Sequence, residues 1–153
     1  MTFAWELGQN YGHVLGFLPT ARELVQRGHC LQFLLRDLSR ARRLVESRNI
    51  TLYQAPMWMP QLRNSPTPLS YAELLFSAGY LDADGLCGLV DAWSNLFSAV
   101  GTELVIADHA PTALLAARIS GLPAVTLGTG FTTPPPVTPL PPLCWWESSK
   151  TPA

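Results

Sequence analysis

The stretch TFAWELGQNYGHVLGFLPTARELVQRGHCLQFLLRD, residues 2–37, decides the fold. Its first apolar run, TFAWEL, is strand-length and ends at Gly8. Val14, Phe17, Leu18, Ala21, Leu24 and Val25 then recur at spacings of three and four, the period of a helix with one buried face. Pro19 is expected near the first turn of that helix and Gly28 as its C-terminal cap. CLQFLLRD is a second buried strand. Two strands joined by a helical crossover form a βαβ unit, and a crossover of this kind makes the strands parallel.

The alternation continues outward from that unit. LSRARRLVESR predicts a second helix, and ITLYQAP a third strand stopped by Pro56. Residues 57–70 are irregular, because Pro60, Pro66 and Pro68 interrupt any regular ladder. Helices are expected around residues 71–80 and 85–100, followed by the strand ELVIAD, the helix TALLAARISG closed by Gly121, and the strand PAVTLGT. The class is therefore α/β, a Rossmann-like open and mainly parallel sheet with helices on both faces, in a single domain over residues 1–131. Residues 132–153 are a proline-rich loop or tail, since their proline density excludes both helix and interior strand. No arginine flanks PLPPL, so a polyproline ligand is a weak reading. Trp145 and Trp146 call for a partner surface.

Composition narrows the function classes. The chain has 153 residues, 48% hydrophobic and 14% charged, with a net charge of −1. That balance gives no electrostatic footprint for nucleic acid. Five of the arginines fall between Arg36 and Arg48, which reads as a solvated helix face with its aliphatic stems packed down. Cys30 and Cys87 sit in apolar stretches and are expected to be small buried hydrophobes, and no Cys/His spacing resembles a metal site. The opening MTFAWELG lacks a basic leader, and no apolar run is long enough to cross a bilayer, so the expected location is cytoplasmic.

In an open parallel sheet, ligands sit beyond the carboxyl ends of the strands. The loops at residues 8–12, 37–39, 108–111 and 128–131 gather there, which brings His13 and Asp108 to one crevice. A carboxylate beside one imidazole nitrogen fixes the tautomer and stabilises the cation formed when the other nitrogen takes a proton. Such a pair makes a general base for a hydroxyl. Taken singly, His13 could merely open the helix and Asp108 cap the next, while His109 reads as a surface residue at that helix start. A nicotinamide site is a poor reading. Asp37 imitates the ribose-binding acid, but Asn10 and His13 stand where the dinucleotide fingerprint needs glycines. A plain anion site at the helix N-terminus is the remaining option on spacing alone.

Gly12-His13, Arg27-Gly28-His29, the stretch DHAPTALLAARISG, the Gly121-Leu122-Pro123 turn and the ending Gly128-Thr129-Gly130 together resemble the N-terminal half of GT-B glycosyltransferases. The likeness is to family 1-like bacterial members that use nucleotide-activated sugars. It runs from Trp5 to the proline-rich segment, with residues 57–100 matched only in kind. The resemblance implies that His13 is the base that deprotonates an acceptor hydroxyl, with inversion at the sugar, and that Asp108 orients it. It also implies that Asn10, Gly12 and Thr129 lie at the substrate. Two departures stand out. Gln9, Asn10 and Tyr11 replace small residues and narrow the space for an acceptor, and Gly16 replaces a usual proline.

The resemblance further implies that this chain is the acceptor-binding half alone. A GT-B enzyme reacts its substrates in the cleft between two Rossmann-like domains, so little or no hexosyltransferase-like activity is expected from one. The expected ligands are a small-molecule acceptor and a nucleotide-sugar donor held mostly by the other half. No separate cofactor or metal is implied. A separate donor-binding chain or self-association would cover the exposed interdomain face. The alternatives are a truncated gene product that holds the acceptor-binding half only, and a non-catalytic small-molecule or nucleotide-binding module. The apolar character of Met57, Trp58, Met59 and Leu62 leans slightly toward a lipid-like, polyketide or aromatic acceptor, and core packing explains the same residues about as well.

Overall fold

Five strands pair in the order β3-β2-β1-β4-β5, every neighbouring pair parallel, in a computed structural model that describes residues 1–60, 67–128, 135–139 and 142–143. The strands are β1 (Thr2–Trp5), β2 (Leu31–Leu35), β3 (Ile50–Gln54), β4 (Val105–Asp108) and β5 (Ala124–Leu127). The helices are α1 (Gly12–Gln26), α2 (Ala41–Leu44), α3 (Tyr71–Leu75), α4 (Ala83–Ala99) and α5 (Pro111–Ile119). The chain runs leftward from β1 to β3 and then returns to place β4 on the other side of β1. The strand order therefore reverses between β1 and β4.

Alternation along the central strands separates two cores. Phe3, Trp5, Phe33, Leu35 and Ile106 face α1 and α2, with Phe3 stacked on Phe17 at 4.5 Å between ring centres. Ala4, Leu34, Val105 and Ala107 face α4 and α5, where Trp93 and Phe97 fill the space above small residues. This is the two-faced cover that a parallel sheet requires. β5 forms the far edge, and all four of its residues are exposed.

The helices depart from the sequence reading in informative ways. α1 begins at Gly12, so Pro19 lies inside it rather than near its first turn. Pro19 cannot donate to the Leu15 carbonyl, but Leu15 and Pro19 both lie on the exposed face, open to solvent. Gly28 closes α1 at φ +86, where the His29 N–H reaches the Leu24 carbonyl at 3.0 Å and the Gly28 N–H reaches Val25. The arginine-rich helix shrinks to one turn, because only Ala41 and Val45 bury a face there. The helix after Ser70 converts at Phe76–Tyr80 into wider turns that kink at Ala78 and Gly79. Trp58 explains that kink. A Cβ on Gly79 would come within 2.7 Å of its indole, and one on Gly85 within 2.6 Å.

Cys30 and Cys87 are exposed, not buried. Cys30 falls in the connection before β2. Cys87 lies off the stripe of Leu89, Val90, Trp93 and Phe97 by which α4 packs. Cys144, Trp145 and Trp146 lie outside the described residues. Of the proline-rich stretch, Pro142 bridges Ser70, and the Leu143 N–H reaches the Leu69 carbonyl at 2.8 Å. No helix among the described residues is long and apolar enough to cross a membrane.

Candidate functional site

β1 and β4 are neighbours whose following connections diverge, β1 leading leftward through α1 and β4 rightward through α5. The ends of two such strands leave a crevice between their loops. His13, in the first turn of α1, and Asp108, the last residue of β4, meet in it with Nδ1 2.9 Å from Oδ1. Their side chains are 20% and 12% exposed, enough for a ligand to reach the ring. The approach is close but off the line of a directed hydrogen bond, since no donor among the described residues meets that oxygen at hydrogen-bonding geometry. A carboxylate this close favours the imidazole proton on Nδ1 and leaves Nε2 as the acceptor.

The ring is held from several sides. Trp5 stacks on His13 at 5.7 Å, and its own Nε1–H donates to the Leu7 carbonyl at 2.7 Å. His109 approaches from the other side at 5.8 Å. His109 is 6% exposed with φ +49, so it is not the surface residue its position suggests. Burial, reinforced by His13, lowers its pKa to about 4, and it stays neutral near neutral pH. Gly8, at φ +86, lies under Nε2, and a Cβ there would come within 2.8 Å of that nitrogen.

Two cavities open near the pair, one lined by His13 and the other by Gly8. The larger, about 520 Å³, lies between α1 and β5 and is lined by Asn10, Gly12, His13, Phe17, Asp108 and Leu127 among others. Asn10 and Gly12 thus share a cavity with the His13–Asp108 pair. Thr129 lies outside the described residues. The smaller, about 320 Å³, sits at the ends of β1, β2 and β3 beneath α3, with Glu6, Gly8, Gln9, Arg36, Trp58 and Leu74 in its wall. Tyr11 narrows neither cavity. Its ring packs on Trp5, and its hydroxyl donates to the Asp37 carbonyl and accepts from the Arg40 N–H at 3.0 Å.

Residues that the sequence reading passed over complete the site. Glu6 is 1% exposed and accepts the Thr112 N–H at 2.8 Å. It therefore serves the N-terminus of α5, where neither Asp108 nor the N-cap Ala110 supplies a side-chain cap. Burial raises its pKa to about 7 in spite of those hydrogen bonds. Tyr80, hydrogen-bonded at 3.4 Å to the Thr112 hydroxyl, is pushed up to about 12 by burial. A single carboxylate at the end of an apolar strand was the available signal. Arg36 separates from the solvated arginines after it and donates to the Gly8 carbonyl at 2.6 Å. Asp37 is spent locally on the Ser39 N–H at 2.7 Å, and those Ser39 contacts lower its pKa. Among the described residues no group of three or more His, Cys, Asp or Glu side chains could hold a metal ion.

No family model matches the chain, and no curated protein matches it. Among solved structures, Glycyrrhiza uralensis UGT73P12, complexed with glycyrrhetinic acid 3-O-monoglucuronide, is similar with a TM-score of 0.49 and 17% identity. The match covers 85% of this chain and 29% of that one, so the chain spans less than a third of its neighbour's length.

Proposed function

We propose that this chain is the acceptor-binding half of an inverting GT-B glycosyltransferase of the bacterial, family 1-like type, with His13 as general base. The observation that carries the reading is the His13–Asp108 contact of 2.9 Å at the point where the strand order reverses. Nδ1 faces the carboxylate, and Nε2 lies against Gly8, a residue in the wall of the smaller cavity, while the ring itself lines the larger one. An acceptor hydroxyl brought to the Gly8 rim gives its proton to Nε2. Its oxygen bonds to the anomeric carbon as the nucleoside diphosphate leaves with the electron pair of the broken C–O bond, and Asp108 stabilises the imidazolium. Asn10, Gly12 and Thr129 contact the substrates. A donor-binding half, supplied by a second domain or chain, holds the nucleotide-sugar in line for attack.

The test supplies that half. The chain is mixed with, or fused ahead of, the donor-binding domain of an inverting GT-B enzyme, and sugar transfer from nucleotide-sugars to phenols and alcohols is followed. The expected result is transfer with inverted anomeric configuration that His13→Ala abolishes without loss of folding. Transfer that survives in His13→Ala overturns the assignment of the base. Ligand binding by the chain with no transfer in any combination favours a non-catalytic binding module.

A further inference from the structure

The smaller cavity joins features that select a particular kind of ligand. One wall is apolar and stiff, because the Trp58 indole is seated on Gly79 and Gly85 with no room for a Cβ on either. Arg36 also lines the cavity, anchored by its bond to the Gly8 carbonyl. Among the described residues no carboxylate lies at ion-pair distance from the Arg36 guanidinium. A guanidinium keeps several N–H donors after one is used, in a planar fork that matches a carboxylate. Gly8 forms part of the rim, and His13 Nε2 lies just across it. A volume of about 320 Å³ is at the low end for ligand pockets, suited to one ring and its substituents rather than a polycyclic acceptor.

We infer that this cavity binds a small aromatic hydroxy acid, its ring against Trp58, its carboxylate on Arg36 and its hydroxyl directed past Gly8 toward His13. This names the acceptor class and rests on the glycosyltransferase reading only for the fate of the hydroxyl. Glu6, the other ionisable group in the wall, is held largely protonated below about 7 by burial, so it offers little repulsion to an anion in weakly acidic solution. A neutral ligand of the same shape would offer the Arg36 guanidinium no charge at ion-pair distance.

The experiment is a binding titration on the full chain at about pH 6, where an aromatic carboxylic acid is ionised and Glu6 is not. The probes are 4-hydroxybenzoate and its neutral counterpart 4-hydroxybenzamide. The acid is expected to bind about tenfold or more tightly than the amide. Arg36→Gln is expected to remove that preference, so that acid and amide bind the variant alike, and Arg36→Lys to retain part of it. Ser77→Trp, on the exposed lip of the cavity, is expected to weaken both probes. Equal affinity for acid and amide, a preference that survives Arg36→Gln, indifference to Ser77→Trp, or no binding of either probe would each overturn the inference. If the acid binds through Arg36 but the fused enzyme transfers equally well without His13, only the glycosyltransferase reading falls. If other acceptors are glycosylated but the acid does not bind, only the acceptor class falls.

Discussion

Glu6 and Thr112, 106 positions apart in sequence, are joined at 2.8 Å where the end of β1 meets the start of α5. A buried carboxyl reaches from the central strand to hold the first turn of the helix that leads away from Asp108. The same contact therefore ties the helix that follows Asp108 to the end of β1. Replacing Glu6 with Ala leaves buried N–H groups of α5 without a partner, at a cost of about 1–3 kcal/mol. Chemical denaturation should show that loss in Glu6→Ala and a smaller one in Glu6→Gln, which keeps an acceptor oxygen.

Stability should be nearly flat across weakly acidic pH because opposed linkages overlap there. Glu6 is raised from 4.5 to about 7, so the folded state holds a proton that the unfolded chain releases, and stability falls as pH rises between those values. A rise of that size corresponds to about 3 kcal/mol. His109 is lowered from 6.5 to about 4, so its contribution is present above 6.5 and is lost as pH falls toward 4. Melting curves against pH should separate the two. In Glu6→Gln stability should climb with pH from about 4 to 6.5, and in His109→Gln it should decline from about 4.5 to 7. Identical profiles in both variants would contradict these shifts.

Gly8 is required twice over, by its φ of +86 and by its approach to His13. Gly8→Ala puts a methyl at 2.8 Å from Nε2 and a side chain in a left-handed backbone conformation. Its melting midpoint should fall by an amount equivalent to about 1–2 kcal/mol. The His13 side-chain resonances should shift with it. An unchanged imidazole spectrum would count against the close packing of the two residues.

Asp108→Asn keeps the shape of the pair and removes its charge. In a reconstituted enzyme kcat should fall by roughly two to four orders of magnitude, because the imidazolium formed on proton transfer loses its counter-ion. KM for the acceptor should change little on the proposed reading, in which the carboxylate acts through His13. A large KM effect with kcat preserved would make Asp108 a binding group.

Sequence periodicity determined the alternation of strands and helices, because each pattern states which face a segment must bury. The spacing in residues 12–28 defines α1, and Gly28 marks its end through a backbone conformation open chiefly to glycine. Strand-end placement likewise puts His13 and Asp108 at the same edge of the sheet. Periodicity is silent about helix length where few residues are buried, so the arginine-rich segment collapsed to one turn and Pro19 proved tolerable on a wet face. It is equally silent about environments made by distant segments. Only the packed structure brings Glu6 to Thr112, separates Arg36 from the arginines after it, buries His109 beside His13 and seats Trp58 on two glycines. A side chain's own neighbours in sequence fix which way it points. Its partners, its exposure and its proton affinity are set by whatever the fold places against it.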